Sequence, residues 1–174
     1  MKKVLLLIDL QNDFVTGSLG TVEAQSIIPN VVKLINSWQD EIYVTRDTHY
    51  ENYLNSFEGQ RLPVEHCIMG TQGWDLHPEI DRALNGRKVT IIDKPTFGAT
   101  KLLELFSYDT DFTVVGLCTD ICVISNVLLL KAKYYFDNIT VIENCCAGVT
   151  PEKHKAAIEV MKSCQINVIP SIDE

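Results

Sequence analysis

The chain is 174 residues long, 46% hydrophobic and 22% charged, which supplies enough apolar side chain for one packed core and is not the balance of a disordered chain. Fifteen Lys and Arg stand against 23 Asp and Glu, a formal charge of −8. Such a surface repels phosphate backbones and anionic lipid, so nucleic acid and membrane are disfavoured as partners and a small ligand fits better.

The first strand is expected over residues 3–8. Its apolar run is far shorter than the roughly 20 residues that cross a bilayer, and Asp9, Asn12 and Asp13 follow too closely for an export signal. A cytoplasmic protein with six free thiols is the expectation. A helical pattern covers 25–39 and a second strand 41–45. Residues 46–76 then lack a clear period and are rich in Gly, Asn, Gln, His and aromatics, the mark of a functional excursion. Further strands are predicted at 88–92, 111–115, 138–142 and 167–169. The remaining helical patterns cover 101–106, 120–135 and 151–164. Thr119 and Asp120 precede the second of these, and Thr150-Pro151-Glu152 supplies an N-cap and a first-turn proline for the third. This alternation predicts one α/β domain over residues 1–174: a three-layer, Rossmann-like doubly wound fold with a six-stranded, mainly parallel sheet.

Open parallel sheets bind ligands beyond the carboxyl ends of their strands. Asp9 follows the first strand, Lys94 the third, and Cys118 to Cys122 the fourth. Cys122 falls in the first turn of a predicted helix, where unpaired amides and the helix dipole favour a thiolate. Taken singly, each residue has an ordinary explanation: a buried thiol, a turn aspartate, a surface lysine. Together they form a nucleophile, a base and a charged partner that stabilises developing anions.

On these residues the chain resembles the isochorismatase-like cysteine hydrolases, and among them the nicotinamidases. The matching segments are Asp9-Leu10-Gln11-Asn12-Asp13-Phe14, the segment around Lys94, Gly70-Thr71-Gln72-Gly73, and Gly116-Leu117-Cys118-Thr119-Asp120-Ile121-Cys122-Val123. The resemblance implies a catalytic triad of Asp9, Lys94 and Cys122, a cis peptide between Leu117 and Cys118, and an oxyanion hole from the amides of Cys118 and Cys122. It also implies hydrolysis of a small carboxamide, nicotinamide above all, through a thioester, with a role in NAD salvage. Relatives commonly assemble, so a homo-oligomer is expected.

In Asp47-Thr48-His49 the first and third side chains point the same way if the backbone is extended, and Glu58 and His66 follow. Asp, Glu and His suit a divalent transition metal such as zinc, manganese or iron. A capping Asp47 and surface histidines explain the same spacing. The resemblance decides for one metal ion on Asp47, His49, Glu58 and His66, there coordinating the substrate's pyridine nitrogen. Glu51 and Glu65 compete with Glu58. Cys67 is conceivable as a ligand, while His77 reads as a loop residue and His154 as a solvated helix residue.

One departure concerns the pocket wall. Nicotinamidases usually stack a large aromatic on the ring just before the metal-binding histidine, where this chain has Leu62-Pro63-Val64. Phe14 and Phe97 are the expected aromatic walls and Ile121 an apolar one. Two other readings remain open: a metal-independent family member cleaving a carbamoyl or ureido C–N bond, and a thiol redox protein using Cys118 and Cys122. No phosphate-binding glycine motif follows the first strand, which disfavours nucleotide cofactors.

Overall fold

The computed structural model of the protein describes residues 2–172. Six strands form one sheet, β1 (Lys2–Ile8), β2 (Glu41–Asp47), β3 (Val89–Lys94), β4 (Thr110–Leu117), β5 (Ile139–Ala147) and β6 (Asn167–Ile169), and every pairing is parallel. Their spatial order is β3-β2-β1-β4-β5-β6. The order reverses between β1 and β4, where such sheets leave a crevice at their carboxyl ends. Val4 to Ile8 in β1 are wholly buried, as the central strand of a sheet covered on both faces must be.

The helices are α1 (Asn12–Val15), α2 (Val22–Ser37), α3 (Pro78–Leu84), α4 (Leu102–Leu105), α5 (Ile124–Lys133) and α6 (Pro151–Ser163). Four differ from the sequence expectation, the first being α1, a single turn after Asp9 that was not expected. α2 begins three residues before the expected residue 25, because the Thr21 hydroxyl accepts the Ala24 N–H at 3.0 Å and caps the helix there. α3 was not expected at all, although Pro78 at its first position is a start signal; His77, read as a loop residue, occupies its N-cap position. The helix expected over 120–135 is split into a π-helical turn, Thr119–Val123, followed by α5. Thr119 and Asp120 do not cap it. Their side chains bond instead to His154 and Val149. The Thr150 cap on α6 forms as expected, accepting the Lys153 N–H at 3.2 Å.

Gly116 allows the central strands to close. Its φ is +130°, and a Cβ there would lie 2.1 Å from the Ile8 carbonyl oxygen, so β1 and β4 can deliver their last residues side by side only because no side chain intervenes. Among the described residues no helix is long and apolar enough to cross a membrane.

Candidate active site

Asp9 is the first residue beyond β1. Its backbone is left-handed, φ +49°, which turns the chain out of the strand and aims a fully buried carboxylate across the sheet end. Thr45, on β2, donates its hydroxyl to Asp9 Oδ1 at 2.6 Å. Lys94 closes β3, and its buried ammonium lies 2.6 Å from Asp9 Oδ2, 3.0 Å from the Thr96 carbonyl and 3.5 Å from Cys122 Sγ. Asp9 Oδ2 meets the ammonium as an ion pair without an aligned hydrogen bond, and Asp47 Oδ1 lies 3.6 Å from the same nitrogen. Cys122 sits in the π-helical turn and is 5% exposed, and the Leu117–Cys118 peptide is cis.

Burial pushes the Asp9 carboxyl up from its ordinary value against the pull of Lys94. It also pushes the Cys122 thiol well up, helped by the repulsion of Asp9 and opposed by Lys94. Burial alone would lower Lys94, but the charges of Asp9, Cys122 and Asp47 outweigh it and hold the ammonium above its usual range. Burial and the Asp9 charge thus work against the thiolate that the helix N-terminus favours, and the Lys94 ammonium works for it.

The second cluster grows from the end of β2. Residues 66–69 run beside 47–49 as a short parallel bridge between His49 and Ile68, with the His49 N–H donating to the Cys67 carbonyl at 2.9 Å. This return brings His66 over Asp47. The short 3₁₀ turn Tyr53–Asn55 packs the Tyr53 ring 4.7 Å from His49 and 5.0 Å from His66, and the segment beyond it supplies Glu58. Of the competing acids, Glu51 and Glu65 are exposed. Cys67 is not in the cluster; its N–H donates to Asp13 Oδ2 at 2.8 Å.

His49 Nε2 lies 2.9 Å from Asp47 Oδ2 and 3.7 Å from Glu58 Oε1, and His66 Nε2 lies 3.4 and 3.5 Å from the same two oxygens. A tetrahedral ion with bonds near 2.1 Å needs ligand separations of about 3.4 Å. His49 Nε2 is buried with no aligned hydrogen-bond partner, and the Val64 carbonyl, 2.8 Å from His66 Nδ1, points the His66 Nε2 lone pair inward. These residues therefore fit a divalent metal, and all four ligand atoms lie within 4.8 Å of one another. Without a cation the cluster draws in a proton instead. Burial would lower His66, but hydrogen bonds to Asp47 and Glu58 raise it to about 10. Burial would likewise raise Asp47, and the imidazoles of His49 and His66 with Lys94 hold it well below the carboxylate range.

The two clusters open into one cavity of about 270 Å³ whose walls include Phe14, Phe97, Ile121, Leu62, His66 and Cys122. All three expected substrate-binding residues line it. Phe14 also meets the His66 ring edge-on at 5.6 Å. Several supporting residues escaped the sequence reading. Buried Gln11 donates to the Asp47 carbonyl at 2.8 Å and accepts its N–H at 2.7 Å, pairing side chain to backbone like a rung of the sheet. Asn126 donates to the Cys122 carbonyl at 2.7 Å and to the Phe97 carbonyl at 3.1 Å, and accepts the Ala99 N–H at 2.8 Å, tying the cysteine turn to the loop after Lys94. Gln11 stands in the quoted motif and Asn126 one helical turn past Cys122, and their polarity in apolar surroundings was the available signal.

Comparison with known proteins gives a consistent result. Residues 3–173 match the family described as Isochorismatase domain. The chain is 30% identical over 191 residues to an Arabidopsis thaliana protein described as a probable inactive nicotinamidase, covering 98% of this chain and 92% of that one. The crystal structure of a nicotinamidase/pyrazinamidase from Bacillus subtilis superposes with a TM-score of 0.81 at 28% identity, covering 97% of this chain and 99% of the other. A pyrazinamidase of Pyrococcus horikoshii in complex with zinc superposes with a TM-score of 0.77 at 25% identity, covering 97% and 99%.

Proposed function

This chain belongs to the isochorismatase family, and from that premise we propose that it is a cysteine amidohydrolase converting nicotinamide, or a closely related small carboxamide, to its acid and ammonia. The observation that carries this reading is the contact of three groups, with Lys94 Nζ 2.6 Å from Asp9 and 3.5 Å from Cys122, of which Cys122 lines a cavity of suitable size for a small amide while Asp9 and Lys94 lie buried behind it.

In the first half-reaction the Cys122 Sγ–H proton passes to Asp9 as the sulfur bonds to the amide carbon. The raised Asp9 carboxyl is a stronger base than an ordinary aspartate, which suits it to accept that proton. The tetrahedral oxyanion is held by the N–H groups of Cys118 and Cys122, and Lys94 balances the negative charge shared between carboxylate and sulfur. Asp9 returns the proton to the departing nitrogen, the C–N bond breaks, and ammonia leaves a Cys122 thioester. Water deprotonated by Asp9 then adds to the thioester carbon, the C–S bond breaks to release the acid, and Asp9 returns the proton to sulfur to restore the thiol. Asp47, His49, Glu58 and His66 would hold a divalent metal, zinc, manganese or iron, which supplies a Lewis acid to bind and orient a basic substrate nitrogen. Nicotinate as product would place the protein in NAD salvage; a cytoplasmic homo-oligomer is part of the same proposal.

Leu62 on the cavity wall favours a second reading, in which the substrate is an amide or ureido compound without an aromatic ring. Ammonia release from purified, metal-supplemented protein tests both. Turnover of nicotinamide and pyrazinamide supports the first, turnover confined to aliphatic amides or ureido compounds supports the second, and no release from any of them removes the amidase reading.

A further inference from the structure

The geometry points to Thr119 and His154 as positioning residues that hold the Cys118–Cys122 turn in its working shape through a hydrogen bond from α6. The inference rests on the reading of Cys122 as nucleophile and adds two residues outside the substrate cavity. Thr119 is wholly buried, and its Oγ1 lies 2.8 Å from His154 Nδ1. On the far side of the ring, His154 Nε2 lies 3.7 Å from Glu143 Oε1. A carboxylate there favours the tautomer with the proton on Nε2, which leaves Nδ1 as the acceptor for the Thr119 hydroxyl proton. Glu143 and His154 line a second groove of about 530 Å³ between α2 and the β5–α6 connection. Neither Thr119 nor His154 lines the substrate cavity.

Two more observations show how closely α6 is fitted to this turn. Asp120 Oδ1 accepts the Val149 N–H at 2.9 Å. Between them a Cβ on Gly148 would lie 2.8 Å from Asp120 Oδ1 and 2.8 Å from His154 N, so the loop admits only glycine without displacement. Thr119 follows Cys118 directly, and the Cys118 carbonyl accepts the Ile121 and Val123 N–H groups at 3.1 and 3.0 Å. Rotating Thr119 therefore moves the Cys118 peptide and the start of the Cys122 turn together. Misplacement of a reacting group by about 1 Å is enough to cost on the order of a hundredfold in rate. Thr119 and His154 act on the reaction only through the turn, so their loss falls on kcat.

The test is steady-state ammonia release by wild type, Thr119→Val, Thr119→Ser, His154→Leu and His154→Asn, with thermal melts of each. Thr119→Val and His154→Leu are expected to lower kcat by about tenfold or more with KM within about twofold, while Thr119→Ser and His154→Asn, which keep a polar atom near the bond, regain most of it. The double variant Thr119→Val/His154→Leu should be no worse than the weaker single, because both remove one bond. Unchanged kcat in the two apolar variants, losses that multiply in the double variant, or a change confined to KM each overturn the inference while leaving the amidase reading standing. If both apolar variants fail to fold, the half-exposed Glu143→Gln decides: a kcat lowered by about threefold at constant KM supports the inference, through loss of the tautomer bias, and an unchanged kcat overturns it. Wild type that releases no ammonia removes the amidase reading, and this inference falls with it.

Discussion

Lys94 and His49 stand a short step apart at the ends of neighbouring strands, and their polar atoms meet opposite surroundings. The Lys94 ammonium has a carboxylate, a carbonyl and a sulfur around it, and Asp9 opposite it is held by Thr45. This buried group is carried by strand ends inside the sheet, with Asp47 Oδ1 a further neighbour of the ammonium at 3.6 Å. His49 Nε2 has no aligned partner, two carboxylates face two imidazoles at metal-ligand spacing, and one of those carboxylates, Glu58, comes from an excursion with its side chain 20% exposed. A buried pair of opposite charges satisfies itself as the chain folds, whereas two converging acids need a cation from outside. The first cluster should therefore be sensitive to substitution and indifferent to metal, and the second should respond to both.

The largest effect is expected from Cys122→Ala, which should lower kcat by about 10⁴-fold or more with the melting temperature little changed; residual turnover close to wild type would break the assignment of the nucleophile. Next, Lys94→Met should cost on the order of 3 kcal/mol of stability, measured by urea unfolding, because it leaves the Asp9 carboxylate buried without its partner. Removing metal tests the other half of the comparison. Chelation should lower the melting temperature and activity of wild type, with zinc, manganese or iron restoring both, and metal at about a hundred times its Kd should add roughly 2.7 kcal/mol to stability. His49→Ala should abolish that response while leaving the fold intact. A protein without stoichiometric metal whose activity ignores chelators would erase the contrast.

A subtler effect is expected in the pH profile. Asp9 must be ionised to accept the thiol proton, and burial raises its carboxyl, so the acid limb of kcat/KM should lie above the ordinary carboxylate value near 4. An acid limb at or below that value would show that Lys94 outweighs burial. The smallest effect is expected at the pocket wall. Leu62→Trp should raise kcat/KM for nicotinamide relative to an aliphatic amide by about threefold to tenfold, the worth of one ring-stacking contact; no change in that ratio would place Leu62 outside the ring-binding wall.

How much of this was legible depended on how local the physics is. Asp9, Lys94 and Cys122 each follow an apolar run that reads as a buried strand, and the doubly wound rule then gathers their side chains at one edge. The Thr150 cap and Pro151 start are local in the same way. Glu58 was harder to separate from Glu51 and Glu65 by spacing, since the turn at Tyr53 and the return beside His49 decide which acid faces inward. His154 was misread as solvated because its partner Thr119 is 35 positions away. The opposing pulls on the Cys122 thiol were half visible for a related reason, since a helix N-terminus can be read in the sequence and the depth of burial cannot.

Strand periodicity and the residue types at strand ends were sufficient for the six-stranded architecture and for the three groups that meet there, because these features rest on burial patterns and on contacts between neighbours in the chain. The π-helical turn, the approach of Glu58 and His66 to Asp47 and His49, the Gln11 rung and the bond from Thr119 to α6 form only when distant segments pack together. Each of them depends on where a polar atom finds a partner once water is excluded, and that partner is supplied by the tertiary structure.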